Sequence, residues 1–420
     1  LSTNSARALP LASEPAPASS PAPAADDFLP YGRQSLNEAD IAAVLEVLRG
    51  DLLTQGPAVP RFEAALADYV GAKHAVAVNS GTAALHLACL AAGLGPGFSA
   101  VTQPITFAAS ANCIDYAGAR ADLADVDADT LSLSPDALSA YLDATPDCRA
   151  VIPVAYAGLS ALDADFRAAA QGRTIIEDGC HALGGTRPDG SKVGSGGAAA
   201  MTCFSFHPVK PITAGEGGAV TTDDDEFARR LRLLRNHGME RDPEHFIGAE
   251  RGPWIYEQHA LGFNYRMTDI AAALGASQLT RLDDFTERRR DIASWYDRML
   301  AGLDGVSPVQ ADPAMRARSA HHLYAVRVDF AGARRSRADV MAAMRAEGVG
   351  TQVHYIPLYR HPWRRPAFPR AEARFPNAED YYAQALTLPC FPGMSEDDAA
   401  RAVGALARAL GRPIPGQSPG

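Results

Sequence analysis

The sequence predicts an α/β protein in two parts: a large domain built on a mainly parallel sheet, and a smaller C-terminal α+β domain. Three observations lead there. Short apolar runs alternate with helical stretches through the first half of the chain, which implies strands covered by helices. A long helical zone from Thr268 to about Leu300 ends that rhythm, and helices and strands recur in another order beyond it. The 420 residues are 47% hydrophobic and 21% charged, enough apolar material for two packed units. The expected boundaries are 1–27 for a disordered Ala/Pro-rich leader, 28–290 for the large domain and 291–420 for the small one.

The leader is Ala, Pro and Ser without periodic apolar positions, and it lacks the basic and apolar blocks of a secretory signal. Order begins near Leu29-Pro30-Tyr31. Asn37 can cap a helix whose Ile41, Val44, Leu45 and Leu48 recur at helical spacing, with Gly50 ending it. Ala75 to Val78 reads as a buried strand and Thr82 to Ala92 as an apolar helix. Further strands are expected over Ala100 to Gln103, Arg120 to Val126, Ala150 to Val154, Thr174 to Asp178, Met201 to Phe206 and Gly218 to Thr221. Pro135 to Leu142 and Glu226 to Asn236 read as helices between them. In the smaller domain, His322 to Val328 and Thr351 to Tyr355 predict strands, and Ser336 to Glu347 and Ser395 to Leu410 predict helices.

Several function classes fall away. The 39 Lys+Arg stand against 49 Asp+Glu, a net charge of -10 with no basic block, which argues against nucleic acid as partner. No apolar run is long enough to span a bilayer. The six cysteines (Cys89, Cys113, Cys148, Cys180, Cys203, Cys390) form no Cys-x-x-Cys pair, too sparse for a disulfide scaffold and wrongly spaced for structural zinc. They read as thiols of a reducing compartment, and no metal site is expected.

Three stretches carry chemistry. Asn79-Ser80-Gly81-Thr82-Ala83 follows a strand and opens a helix, so free backbone N–H groups and a positive dipole end suit a phosphate. Taken alone, a plain N-cap by Ser80 or Thr82 is the better explanation. Neither a P-loop nor a Gly-x-Gly-x-x-Gly is present. The strand Arg173 to Asp178 finishes in two acids, where a parallel sheet places its ligands, and a carboxylate there can hold a ring nitrogen protonated. Solvated or capping roles for those acids remain open at this point. Finally, Lys210 lies between Pro208 and Pro211, which forbid a regular helix, and ahead of Gly215-Glu216-Gly217-Gly218. An amine fixed in such a loop is a candidate Schiff-base former. Phosphate cradle, strand-end Asp and loop Lys, in that order, are the parts a pyridoxal phosphate enzyme needs.

With these in place the chain resembles the DegT/DnrJ/EryC/StrS sugar aminotransferases, from about Leu29 to the last helix. The resemblance rests on Leu53-Thr54-Gln55-Gly56-Pro57, Asn79 to Leu85, Pro104-Ile105-Thr106-Phe107, Glu177-Asp178 with His181-Ala182-Leu183-Gly184, and Gly262-Phe263-Asn264-Tyr265-Arg266-Met267. It implies the fold of a fold-type I pyridoxal phosphate-dependent transferase. Phe204 to Thr213 and Gln352 to Tyr359, with Pro30-Tyr31 and Leu388-Pro389, are most similar to the branch that aminates a sugar nucleotide for pseudaminic acid biosynthesis.

What the resemblance implies is specific. Pyridoxal 5'-phosphate is the cofactor and Lys210 its catalytic Schiff-base lysine. Asp178 pairs with the ring nitrogen, Phe107 stacks on the ring, and His181 contacts the ring hydroxyl. Gly81, Thr82 and Ser205 bind the phosphate, and Asn264 reaches it or the substrate from a neighbouring subunit. Tyr31, Leu53, Thr54, His354 and Tyr355 line the substrate cleft. The partners are L-glutamate, a UDP-linked 4-keto-6-deoxy amino sugar and a second copy in a homodimer with shared active sites, in the cytoplasm, with no membrane or nucleic acid. Ala155 departs from the His or Asp of many relatives, and Leu159 to Asp163 from their Pro-containing turn. A related dehydratase branch carries His in place of the lysine, so Lys210 argues for transamination. The alternatives are the same transamination on another 4-keto sugar nucleotide, or a catalytically silent regulator that keeps the fold.

Other features are expected to be structural. His321-His322 precedes a strand, His237-Gly238-Met239 ends a helix, Arg288-Arg289-Arg290 reads as a solvated helix face, and Asp223 to Glu226 starts a helix.

Overall fold

The computed structural model describes residues 27–250 and 252–414, so the expected leader, up to residue 26, lies outside the described residues. The first helix, α1 (Glu38–Arg49), is fixed by a reciprocal cap. Asn37 Oδ1 accepts from the Asp40 N–H, and the Asp40 carboxylate accepts from the Asn37 N–H. Then follow α2 (Ala58–Val70), β1 (His74–Val78), α3 (Gly81–Ala91), β2 (Ser99–Thr102), α4 (Ala109–Tyr116), β3 (Arg120–Leu123) and α5 (Pro135–Ala144). The run continues with β4 (Cys148–Ile152), α6 (Ala164–Ala169), β5 (Thr174–Asp178), β6 (Met201–Ser205), β7 (Gly218–Thr222) and α7 (Asp225–Arg235).

These seven strands form one sheet in the order β1-β7-β6-β5-β4-β2-β3, in which only β7 runs antiparallel to its neighbours. Val76, Val101, Val151, Ile176 and Val220 are fully buried, as a sheet covered on both faces demands. The carboxyl ends of β1, β2, β5 and β6 therefore emerge along one edge, where open α/β sheets hold their ligands.

A short hairpin, β8 (Met239–Glu240) and β9 (Glu257–Gln258), leads to α8 (Asp269–Leu279) and α9 (Leu282–Leu300). The remainder is β10 (Val306–Pro308), α10 (Pro313–Arg318), β11 (Tyr324–Val328), α11 (Arg337–Ala346), α12 (Ala371–Arg374), α13 (Pro376–Gln384), β12 (Ala385–Leu388) and α14 (Glu396–Leu410). β10, β11 and β12 pair antiparallel around a second core that includes Tyr296, Val326, Leu386 and Leu406.

Three expectations change, and one apolar face is left open. The helical zone after Thr268 is two helices, because α8 closes at Thr280 and α9 starts after Arg281. Thr351 to Tyr355 is not a strand: Gln352 makes one bridge with Thr387, after which the His354 carbonyl is taken by the hydroxyls of Tyr156 and Tyr381 and cannot continue a ladder. Arg289 is not solvated; it is 2% exposed and donates to the carbonyls of Cys390, at 2.7 Å, and His322. Among the described residues nothing covers the apolar stripe of α1 at Ile41, Leu45 and Leu48. The helix turns Asp40 toward α8, where Ser277 and Gln278 hydrogen-bond its carboxylate, and Ile41, Leu45 and Leu48 are left outside.

Candidate active site

A cleft of about 640 Å³ opens at the carboxyl edge of the large sheet. Its floor begins at the turn from β1 into α3. Ser80 is extended and caps the helix by accepting the Ala83 N–H at 3.1 Å, which leaves the first N–H groups, at Gly81 and Thr82, without intrahelical partners. Both residues line the cleft, so the positive end of α3 meets it. Glycine is required at Gly81 and Gly218. A Cβ at Gly81 would lie 2.7 Å from the Ser205 Cβ, and one at Gly218 would lie 2.4 Å from the Ser80 carbonyl oxygen. These close approaches bring Ser205, at the end of β6, against the helix start.

The two acids that end β5 point to opposite faces, as strand alternation dictates. Glu177 is 1% exposed and pairs at 2.6 Å with Arg187, itself fully buried, while Ser160 and Thr202 donate to the same carboxylate. It braces the sheet. Asp178 lines the cleft; its Oδ2 accepts from Ser110 Oγ at 2.6 Å and its Oδ1 from the Cys180 N–H at 3.1 Å.

Lys210 follows β6 in a loop pinned at its base. The Phe206 N–H donates to the Gly217 carbonyl, the Ala214 N–H to that of Phe206, and the Lys210 N–H to that of His207, each at 2.9 Å. Burial lowers the pKa of the Lys210 ammonium, and the neighbouring Cys180 and Asp178 oppose that shift. Burial, with Asp178 beside it, pushes the Cys180 thiol well above its ordinary value, so Cys180 is no thiolate nucleophile.

On the opposite wall, Tyr355 Oη and His181 Nε2 lie 3.0 Å apart. Burial pushes His181 well below the usual imidazole range, and Lys210 and His354 add to the shift. Burial likewise pushes the Tyr355 phenol up, so both groups are neutral when they hydrogen-bond. His354, pushed down to about 3 by burial and Lys210, meets Thr387 Oγ1 at 2.9 Å through Nδ1. The hydroxyls of Tyr156 and Tyr381, 2.6 Å apart, both reach the His354 carbonyl; with one proton each, one of them donates to the carbonyl and the other is shared between that hydroxyl and the carbonyl.

Ten residues singled out from the sequence thus border one cleft: Tyr31, Gly81, Thr82, Phe107, Asp178, His181, Ser205, Lys210, His354 and Tyr355. Phe107 is 61% exposed there, with an open ring face. Leu53, Thr54 and Asn264 do not line it; all three are exposed on this chain's outer surface. His322, expected only to be structural, packs its ring 4.5 Å from His181 inside the cleft. Sequence reasoning passed over Ser110 and Thr106, although Thr106 and Ser110 stand one helical turn apart where β2 gives way to α4.

The residues present fit pyridoxal phosphate. The cradle formed by Gly81, Thr82 and Ser205 suits its phosphate, Asp178 can accept from its ring nitrogen, and Lys210 supplies the amine. His181 keeps its Nδ1 buried without a partner, a cost of about 1–3 kcal/mol that a ligand can offset.

Comparison with known proteins agrees with that chemistry. The model of the DegT/DnrJ/EryC1/StrS aminotransferase family matches residues 34–407. The spore coat polysaccharide biosynthesis protein SpsC of Bacillus subtilis (strain 168) is 42% identical over 375 residues, covering 88% of this chain and 94% of SpsC. Helicobacter pylori PseC, an aminotransferase involved in the biosynthesis of pseudoaminic acid, matches with a TM-score of 0.82 at 29% identity, over 91% of this chain and 99% of PseC. Streptococcus pneumoniae Spr1654 has been solved in PLP and PMP forms. The PMP form gives a TM-score of 0.83 at 28% identity, over 91% of this chain and 99% of its own.

Proposed function

The chain belongs to the DegT/DnrJ/EryC1/StrS aminotransferase family and is a sugar aminotransferase. From that premise we propose that it binds pyridoxal 5'-phosphate and moves an amino group from L-glutamate to C4 of UDP-2-acetamido-2,6-dideoxy-β-L-arabino-4-hexulose. The products are 2-oxoglutarate and UDP-4-amino-4,6-dideoxy-N-acetyl-β-L-altrosamine. The amine-bearing carbon of glutamate is oxidised to a ketone, and the sugar's C4 ketone is reduced to an amine, in two ping-pong halves. The observation that carries this reading is the meeting of Lys210, Asp178 and the start of α3 in one cleft. The named sugar rests on the likeness to PseC.

Bound pyridoxal phosphate supplies an electron sink and a carrier for the amino group. The chain's own residues do the rest. Lys210 Nζ, its proton affinity reduced by burial, would take the proton from the glutamate α-carbon in the first half and deliver a proton to C4 of the sugar in the second. Asp178 accepts from the ring nitrogen and keeps it protonated. Gly81, Thr82 and Ser205 hold the phosphate, Phe107 covers the ring face, and His181, neutral and tied to Tyr355, fixes the ring hydroxyl. Tyr31, Leu53, Thr54, His354 and Tyr355 contact the sugar nucleotide.

A homodimer with shared active sites completes the reading. Leu36, Ile41, Leu45, Leu48, Leu52 and Leu53 are all exposed along α1 and the segments flanking it, an apolar strip suited to a second copy. Asn264, outside this chain's cleft, would reach the partner's phosphate. The enzyme works in the cytoplasm, where nucleotide sugars and glutamate occur together; among the described residues no helix is long and apolar enough to cross a membrane.

The test is to mix the protein, pyridoxal phosphate, L-glutamate and that UDP-keto sugar, and to follow the nucleotide sugar by mass spectrometry and NMR. A 4-amino product of altro configuration is expected. Absence of product, with turnover of another 4-keto sugar nucleotide such as a dTDP-hexose, would overturn the named substrate and keep the aminotransferase.

A further inference from the structure

Asp178 does not stand alone at the end of β5. Its Oδ2 accepts from Ser110 Oγ at 2.6 Å, and Ser110 Oγ lies 2.7 Å from Thr106 Oγ1. Ser110 has one hydroxyl proton and commits it to the carboxylate, so Thr106 must be the donor in the second contact. The result is a directed chain, Thr106 to Ser110 to Asp178, with Thr106 2% exposed and Ser110 fully buried. Ser110 stands in the first turn of α4, the end of a helix that favours negative charge. The Cys180 N–H holds the other carboxylate oxygen, so the plane of the carboxyl group is fixed from both sides.

We propose that Ser110, oriented by Thr106, is a positioning residue that aims the Asp178 carboxylate at the cofactor ring and thereby sets how firmly the ring nitrogen keeps its proton. The inference rests on the reading of Asp178 given above and adds the group that makes it work. A buried carboxylate with a single donor can rotate or take the ring proton itself. With Ser110 donating to Oδ2 and the Cys180 N–H to Oδ1, the carboxylate is fixed in orientation, and its negative charge would stay supported where a ring N–H meets it. Thr106 and Ser110 bracket Phe107 in sequence, so the segment that offers an aromatic face to the cleft also steers the carboxylate.

The test uses apoprotein loaded with pyridoxal phosphate labelled with ¹⁵N in its ring, which reads ring protonation independently of turnover. Cofactor affinity is measured in parallel by fluorescence titration. Ser110→Ala is expected to weaken affinity about tenfold or more, the scale of one hydrogen bond to a charged group, and to let the ring nitrogen lose its proton at lower pH. Ser110→Thr, which restores the hydroxyl, should return both readouts toward the starting protein. Thr106→Val should shift them in the same direction by a smaller amount, and it decides the matter if Ser110→Ala does not fold. Asp178→Ala serves as the reference. If it strips the ring proton while Ser110→Ala and Thr106→Val leave ring protonation unchanged, the inference is overturned and the role of Asp178 stands. If Asp178→Ala itself leaves the ring protonated, the reading of Asp178 fails, and the inference with it.

Discussion

Lys210, Asp178, His181 and Tyr355 are polar and lie buried or half-buried in the cleft, whereas Leu36, Ile41, Leu45, Leu48, Leu52 and Leu53 are apolar and face outward along α1 and its flanks. Burying polar groups costs free energy unless they are hydrogen-bonded, and exposing apolar ones forfeits about 25 cal/mol per Å² left in water. The cleft meets most of its cost with hydroxyls and backbone groups of the same chain, leaving the Nδ1 atoms of His181 and His322 buried without a partner. Asp178 has Ser110 and the Cys180 N–H, His181 has Tyr355, and His354 has Thr387. The α1 face has no comparable partner among the described residues. One region is a centre already organised for chemistry; the other is an exposed apolar face, which the proposed homodimer would cover while bringing Asn264, Leu53 and Thr54 to a site.

That contrast can be broken or sharpened by experiment. The largest effect belongs to the cleft. Lys210→Ala is expected to lower transamination about 10³-fold or more while leaving oligomeric state unchanged, proton transfer alone being worth 10²–10⁴-fold. Steady-state kinetics with sedimentation check both halves, and residual turnover near that of the unaltered chain would remove Lys210 from the mechanism. Next comes the outer face. Leu45→Asp combined with Leu48→Asp should convert the proposed dimer to monomer by sedimentation and reduce turnover with the cleft residues intact. An unchanged oligomer would refute this interface.

A third prediction separates the regions by pH. Burial holds His354 down to about 3 and His321 down to about 4, and lowers His181 and His322 as well. The unfolded chain takes up protons at these positions near pH 6.5, where the folded chain does not. Stability therefore falls as pH drops from 6.5, by about 1.4 kcal/mol per pH unit for each such histidine. Denaturant midpoints between pH 6.5 and 5 should show this slope, and His321→Asn should remove about one histidine's share. Leu45→Asp should leave the slope as it is, because α1 carries no histidine. The smallest effect is at the cap: Asn37→Ala should cost about 1 kcal/mol of stability and leave kcat unchanged.

The two regions also differ in how well the sequence announced them. Buried strands such as Thr174–Asp178 and Met201–Ser205 were legible because both faces are covered and their apolar runs are continuous. The start of α3 and the loop around Lys210 were legible because glycine and proline mark backbone that no other residue type allows. The α1 stripe was legible as a pattern, but periodicity says that a face is apolar and not what covers it. The fate of Arg289 was hidden, because its partners Cys390 and His322 are distant in sequence. So was the end of the strand expected at Thr351, since the hydroxyls that claim the His354 carbonyl come from Tyr156 and Tyr381. Ser110 was missed for a similar reason: a helical serine has no signature until β5 brings Asp178 to it.

The central claim is that this cleft holds pyridoxal phosphate through Lys210. The chain has three lysines, Lys73, Lys192 and Lys210, which makes the most direct test a clean one. Loaded protein is treated with borohydride to fix the cofactor covalently, and its peptides are mapped by mass spectrometry. The account predicts stoichiometric labelling at Lys210 and none at Lys73, which pairs with Asp225, or at Lys192, which lies over the Tyr69 ring. Labelling at either of those lysines, or an unlabelled Lys210 in fully loaded protein, would contradict it.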